Sequence, residues 1–267
     1  MKFTVQQFIK FSTPFEGVVQ TMYQDSKGLV TVGMGELIEP IQLGWGMPWK
    51  HADGTPATQS EYIAEWNVIN GNPELAKDGW VVAARFCKLH LDIADIEVLV
   101  QAKLNLNEEQ LRKRVPNYDN LCADAQLFLH SWAWAVGAGA SYPRMLKLVN
   151  AGNFMGAIME CDINPKVGTI ILRNEANHQL LTNAANVAPG QDMLVYPSVV
   201  GDTTYDHSVT SLQHALALLG YDIAQDGIMG PVTVDTIKKF QATRKLTVDG
   251  IAGPLTWAAL QTAMRFR

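Results

Sequence analysis

Two carboxylates and a hydroxyl, Glu16, Asp25 and Thr31, fall in one short stretch: Phe15-Glu16-Gly17-Val18-Val19-Gln20-Thr21-Met22-Tyr23-Gln24-Asp25-Ser26-Lys27-Gly28-Leu29-Val30-Thr31-Val32-Gly33-Met34-Gly35. Cleaving a glycosidic bond commonly takes such a pair. One carboxyl stays protonated and donates to the leaving oxygen, while the other is ionised and activates water or stabilises positive charge on the sugar. Glu16 follows Phe15, a setting that suits the protonated partner, and Asp25 lies among polar turn residues that suit the ionised one. Taken alone, a Glu and an Asp at this spacing are usually two solvated side chains. Tyr23, Gly28, Thr31 and Gly33-x-Gly35 around them set this stretch apart.

Local elements must position these groups. Pro14 predicts the end of a first helix just ahead of Glu16, which puts that carboxylate at a helix-to-hairpin junction. Residues 18–34 alternate in the manner of a β-hairpin whose turn is Gln24-Asp25-Ser26-Lys27-Gly28, with Asp25 at its mouth and Thr31 on the returning strand. Hairpin geometry explains Gly33-x-Gly35 better than a phosphate loop, since no second phosphate signature follows and no basic residue is close. Apolar periodicity near 3.6 then predicts helices over roughly 59–70, 74–103, 107–115, 121–135, 141–162 and 168–184. The expected fold is α+β, mainly α, with one early hairpin.

Two prolines, two glycines and small polar residues interrupt the helical rhythm between about 185 and 207. This predicts a first domain over 1–190, a linker over 191–207 and a second domain over 208–267. The second domain shows three helical patterns, near 208–219, 231–243 and 254–264. The last two follow nearly the same phrase, Asp226-Gly227-Ile228-Met229-Gly230-Pro231 and Asp249-Gly250-Ile251-Ala252-Gly253-Pro254. In each copy Asp-Gly makes a turn and Pro sits where a helix can begin without losing a needed N–H. Neither copy carries the alternating acidic ligands of a calcium loop.

Glu16-Gly17, Tyr23, Asp25, Gly28, Thr31 and Gly33-x-Gly35, in this order, resemble the signature of phage-type lysozymes, glycoside hydrolase family 24. The resemblance implies a lysozyme-like fold and hydrolysis of the β-1,4 bond between N-acetylmuramic acid and N-acetylglucosamine. It also implies that Glu16 is the general acid, that Asp25 and Thr31 position the attacking water, and that Leu37 and Tyr142 lie at sugar-binding positions. Where the family usually has His after Gly-x-Gly, this chain has Glu36, which alters local packing or adds an acid near the cleft. Trp132 to Gly139, followed by Tyr142, Arg144, Met145 and Leu146, resembles the family's central helix and its Gly-containing turn. Arg173 and Glu175 match its late helix. Trp132 and Trp134 lie about 200° apart on a helix, so one is expected in the core and the other is free to stack on sugar. The motif Gly44-Trp45-Gly46-Met47-Pro48-Trp49 matches nothing in the family pattern.

The second domain resembles the small three-helix peptidoglycan-binding domain through Ser211-Leu212-Gln213, Leu216, Leu219-Gly220-Tyr221, Asp226-Gly227, Phe240-Gln241, Asp249-Gly250 and Thr256. It therefore implies bacterial peptidoglycan as partner and substrate. A lytic transglycosylase and a non-catalytic wall-binding protein are the competing readings.

Composition narrows the rest. A length of 267 residues and 48% hydrophobic content suffice for two domains with buried cores. Net charge is −5, with 15 basic against 21 acidic residues up to residue 205 and 6 against 5 after it, so there is no basic footprint for nucleic acid. No apolar run is long enough to span a bilayer, and no basic amphipathic segment argues for membrane attack. The start MKFTVQQFIKF lacks the layout of a secretion signal. The chain is thus expected to be a monomer made in the cytoplasm that reaches the wall by release or delivery. A phage endolysin would need a membrane pore, a holin, whereas a delivered toxin would imply an immunity protein. Cys87, Cys122 and Cys161 show no CxxC spacing and are expected to be buried, reduced thiols. The six histidines show no ligand spacing, so neither metal nor cofactor is expected.

Overall fold

The computed structural model describes residues 1–164, 166, 168–186 and 207–265; the linker expected over 191–207 lies outside the described residues apart from His207. Helix α1 (Val5–Glu16) leads into strands β1 (Val19–Gln24), β2 (Val30–Gly33) and β3 (Glu36–Leu37). Helices α2 (Gln59–Asn70), α3 (Leu75–Ala83), α4 (Ile93–Arg114), α5 (Ala123–Val136), α6 (Pro143–Asn150), α7 (Phe154–Ile158) and α8 (Thr169–Asn186) follow. The chain closes with α9 (His207–Leu218), α10 (Pro231–Thr243) and α11 (Pro254–Arg265). The described residues are mainly helical with one antiparallel sheet in the order β1-β2-β3, the α+β class that the sequence predicts. They form two compact units: Met1–Phe15 with Val100–Ser198, and Glu16–Leu99 with Val199–Arg267.

Four of the expected elements differ from the sequence reading, each for a physical reason. Pro14 lies inside α1, which runs on to Glu16. A proline this close to a helix C-terminus forfeits one backbone bond, and the stop comes instead at Gly17, with φ +68°. The helix expected over 74–103 breaks at Gly79, with φ +73°, and again at 88–91, where the Glu65 carboxylate accepts the N–H groups of Lys88 and Leu89. The run over 107–115 is the continuation of α4, which contains neither Gly nor Pro. The pattern over 141–162 splits at Gly152, with φ +71°, where the Asn153 side chain caps α7 by accepting the Gly156 N–H at 3.0 Å. By contrast α2 starts and stops as its pattern predicts, because Thr58 and Glu61 form a reciprocal capping box.

In the first unit α5 is the central helix, and every side chain from Ala123 to Trp134 is buried. A helix enclosed on all sides must satisfy its polar groups internally. Asp124 accepts from Asn183 at 3.0 Å, Gln126 donates to the Tyr118 carbonyl at 2.9 Å, and the Ser131 hydroxyl accepts from Arg173 at 3.3 Å. Trp132 and Trp134 are both buried, at 0% and 7% exposure. Core packing, the expectation for at least one of them, thus holds for both, and neither indole is left to stack on sugar.

His130 of α5 is fully buried, with Nε2 2.9 Å from the Tyr118 hydroxyl. Burial pushes its pKa down to about 3, against a smaller opposing pull from Glu108. The unfolded chain protonates this ring below its ordinary value of 6.5, whereas the native state does not until near pH 3. The stability involved is therefore complete above pH 6.5 and is lost as the pH falls toward 3, at about 1.4 kcal/mol per unit. Urea unfolding at pH 7 and pH 5 should show a loss of roughly 2 kcal/mol from this source. His130→Gln should flatten the slope by that amount; an unchanged slope would refute the assignment.

In the second unit the sheet packs against α2 and α3. Side chains tie it down: Gln20 donates to the Leu91 carbonyl at 2.9 Å, Gln24 to the Ile69 carbonyl at 2.8 Å, and Trp66 Nε1 to the Ile38 carbonyl at 2.9 Å. Helices α9 and α11 pack on α3 and β1, so that Val19, Trp80 and Val81 share one apolar cluster with Leu212, Leu216, Ile237, Phe240, Trp257 and Leu260. The Trp80 and Trp257 rings meet edge to face at 5.2 Å.

Candidate functional site

Strand β2 organises the carboxylate motif. Thr31 pairs with Tyr23 on one side and Leu37 on the other, so these three residues form one row across the sheet. Directly opposed residues of antiparallel strands share a face. Asp25 closes the hairpin: its Oδ1 accepts the Lys27 N–H at 2.8 Å and the Leu29 N–H at 2.9 Å. Gly28, with φ +80°, completes the turn. Thr31, 3% exposed, donates its hydroxyl to the Leu29 carbonyl at 3.0 Å. Leu37 is exposed at 42%.

Glu16, half-buried, ends α1 ahead of Gly17. The Tyr23 phenol shows where the motif converges. Burial holds its pKa well above the ordinary range, and the negative charges of Glu16, Glu36 and Asp25, in that order, raise it further. Three carboxylates thus bear on one phenol. Glu36 has a structural task in addition: its Oε2 accepts the Met34 N–H at 2.6 Å and holds the turn between β2 and β3. Gly33 in that turn has φ +69°, and a Cβ there would lie 2.4 Å from Glu36 Oε2. The positive φ favours glycine there, and a Cβ would also push the Glu36 carboxylate off the Met34 N–H, which accounts for Gly33-x-Gly35 as hairpin geometry.

Tyr142 belongs to the other compact unit. It precedes α6, lies edge to face on Trp132 at 5.3 Å, and lines a cleft of ≈ 420 Å³ with Arg144, Met159, Glu160, Asp162 and Asn164. Arg173, buried on α8, donates to the Ser131 carbonyl and sets its guanidinium 4.9 Å from the Phe15 ring centroid.

The motif around Gly44 finds its place in the second unit. A Cβ on Gly44 would lie 2.2 Å from the Tyr62 hydroxyl, and Trp49 is buried with its Nε1 donating to the Gly44 carbonyl at 3.0 Å. Trp45 is left 46% exposed, along the same segment as Leu37 and Leu43 at 42% and 53%. The sequence singles out the motif holding Trp45 but assigns it no role; the available signal is an aromatic between two glycines just past the hairpin.

No disulfide joins the three cysteines: Cys87 and Cys161 are buried as expected, whereas Cys122, just ahead of α5, is half-buried. Burial pushes the Cys161 thiol up to about 12, which removes it as a nucleophile near neutral pH.

The repeated phrases of the C-terminal module frame two copies of one network. Gln213 Nε2 lies 2.8 Å from Asp226 Oδ1, 3.0 Å from the Ile228 carbonyl and 3.0 Å from Thr233 Oγ1, and its Oε1 accepts the Gly227 N–H at 2.8 Å. Gln241 repeats this with Asp249 at 2.8 Å, the Ile251 carbonyl at 3.0 Å, Thr256 at 3.1 Å and the Gly250 N–H at 2.9 Å. Both amides are buried and satisfied at both ends. The Ile228 N–H and the Gln213 amide hold the Asp226 carboxyl below its usual range. Pro231 and Pro254 open α10 and α11 as their spacing predicts. The Asp-Gly turns are structural, each locked to the preceding helix by one glutamine.

Comparison with known proteins bears on this module. Part of the chain is 49% identical over 49 residues to an uncharacterized protein in the bpoA1 3′ region of Kitasatospora aureofaciens, covering 18% of this chain and 40% of that protein. The chain thus spans about two fifths of the length of this curated relative. Residues 206–260 match the family model described as a peptidoglycan binding domain. The C-terminal module is accordingly a peptidoglycan-binding domain.

Proposed function

We propose that the chain is a muramidase that cleaves the β-1,4 bond between N-acetylmuramic acid and N-acetylglucosamine. The observation that carries this reading is a juxtaposition: the sheet bearing Asp25, Thr31 and Glu36, with Glu16 at its entry, shares one hydrophobic cluster with the peptidoglycan-binding domain. Carboxylate chemistry and wall recognition thus belong to one compact unit. In this reading Glu16 protonates the glycosidic oxygen. Asp25 commits Oδ1 to the turn and uses Oδ2, together with Thr31 Oγ1 as an acceptor, to orient the attacking water. Leu37 and the exposed face of Trp45 supply apolar and stacking contact to sugar rings. Trp45→Ala should raise KM for soluble wall fragments about 3- to 10-fold with little change in kcat; a fall in kcat alone would remove Trp45 from the binding surface.

A second reading, lytic transglycosylase, is favoured by one observation. Asp25 Oδ1 and the Thr31 hydroxyl are already engaged within the hairpin, and a reaction in which the sugar's own hydroxyl displaces the leaving group needs no water-positioning pair. The deciding experiment is mass spectrometry of fragments released from purified peptidoglycan by the wild type and by Glu16→Gln. Reducing muramic acid ends that vanish in the variant support the muramidase, anhydro ends support the transglycosylase, and no fragments from the wild type would leave a wall-binding protein.

A further inference from the structure

The helical unit holds a cluster of donors that the carboxylate motif does not use. Cys161 and Asp162 lie between α7 and α8, and His178 comes from α8. Their candidate ligand atoms, one from each residue, all fall within 4.8 Å of one another. His178 Nε2 is 2.7 Å from Asp162 Oδ1, and Lys166 Nζ is 2.5 Å from Asp162 Oδ2. The segment carrying them is fixed: Asn174 on α8 accepts the Ile163 N–H at 2.9 Å and donates to the Ile163 carbonyl at 3.0 Å. Asp162 also lines the ≈ 420 Å³ cleft next to Tyr142 and Arg144.

We propose that Cys161, Asp162 and His178 form a zinc site whose fourth position is left to water or to a donor entering that cleft. A thiolate, an imidazole and a carboxylate are the mixed donor set that favours zinc over magnesium or calcium. Tetrahedral zinc holds such donors about 3–4 Å apart, so side-chain rotation closes this group onto the ion. Asp162 can ligate through Oδ1 while Lys166 keeps Oδ2, the kind of outer partner that orients a ligating carboxylate. Binding forms the zinc–sulfur bond and releases the Cys161 thiol proton to solvent. The sequence gives no sign of this site, because sixteen positions separate Asp162 from His178 and no ligand motif links them.

The test is a cobalt(II) titration of the full, reduced chain, followed by displacement with zinc. One equivalent of cobalt should produce a thiolate-to-metal charge-transfer band that zinc removes. Cys161→Ser should abolish the band, and His178→Gln should weaken binding by about tenfold or more. His178 is partly exposed, so His178→Gln remains informative if Cys161→Ser fails to fold. Glu16→Gln should bind cobalt as the wild type does. The absence of a thiolate band at saturating cobalt, or tight stoichiometric binding that survives His178→Gln, would overturn the site.

Discussion

Glu16→Gln should lower the rate of reducing-end release from peptidoglycan by about 10²- to 10⁴-fold, the range that a positioned general acid contributes. Glutamine keeps the shape and polarity at the end of α1 but cannot donate a carboxylic proton, so stability and retention on the wall should stay at wild-type levels. Asp25→Asn makes a sharper companion. Its side-chain carbonyl can still accept the Lys27 and Leu29 N–H groups, which preserves the hairpin while removing the charge. A muramidase using Asp25 should then lose kcat with an unchanged melting temperature. A transglycosylase should lose little, and a fall in melting temperature would mark Asp25 as a turn residue only. Co-sedimentation with insoluble peptidoglycan, run on the same variants, separates lost chemistry from lost binding.

Trp257→Ala should cost about 3–5 kcal/mol, the usual consequence of removing a buried indole. Trp257 is 4% exposed and packs on Trp80 in the cluster that also contains Val19 of β1. The expected loss is therefore not confined to the three C-terminal helices. Amide hydrogen exchange should show reduced protection in β1 and α3 as well as in α9 to α11. Loss confined to α9–α11 would mean that the wall-binding domain and the hairpin fold independently. Activity on insoluble wall should fall with the same variant at temperatures where it remains folded, because the strand leading to Asp25 loses its backing.

Much of the site was legible because its constraints are local. Asp25 and Gly28 could be assigned to a turn, and Thr31 to the returning strand, because hairpin register follows from turn chemistry within ten residues. The repeated Asp-Gly and Gly-Pro phrases marked turns and helix starts for the same reason. What the sequence concealed depended on distant partners. Nothing near Gln213 or Gln241 announces that each amide will span an Asp-Gly turn and reach a threonine of the next helix. The break at 88–91 rests on Glu65, a carboxylate more than twenty positions away that takes up backbone N–H groups a helix would have used.

The amino-acid pattern alone determined the mainly helical α+β class, the hairpin carrying Asp25 and Thr31, and the duplicated units of the C-terminal domain, since each is set by short-range periodicity, turn residues and capping. Tertiary structure decided that both Trp132 and Trp134 are core residues, that Trp45 is exposed, and that Cys161, Asp162 and His178 meet. It also decided that the wall-binding helices share a core with strand β1. These outcomes turn on which apolar surfaces bury one another across long stretches of chain, and burial between distant segments leaves no periodic trace in the sequence.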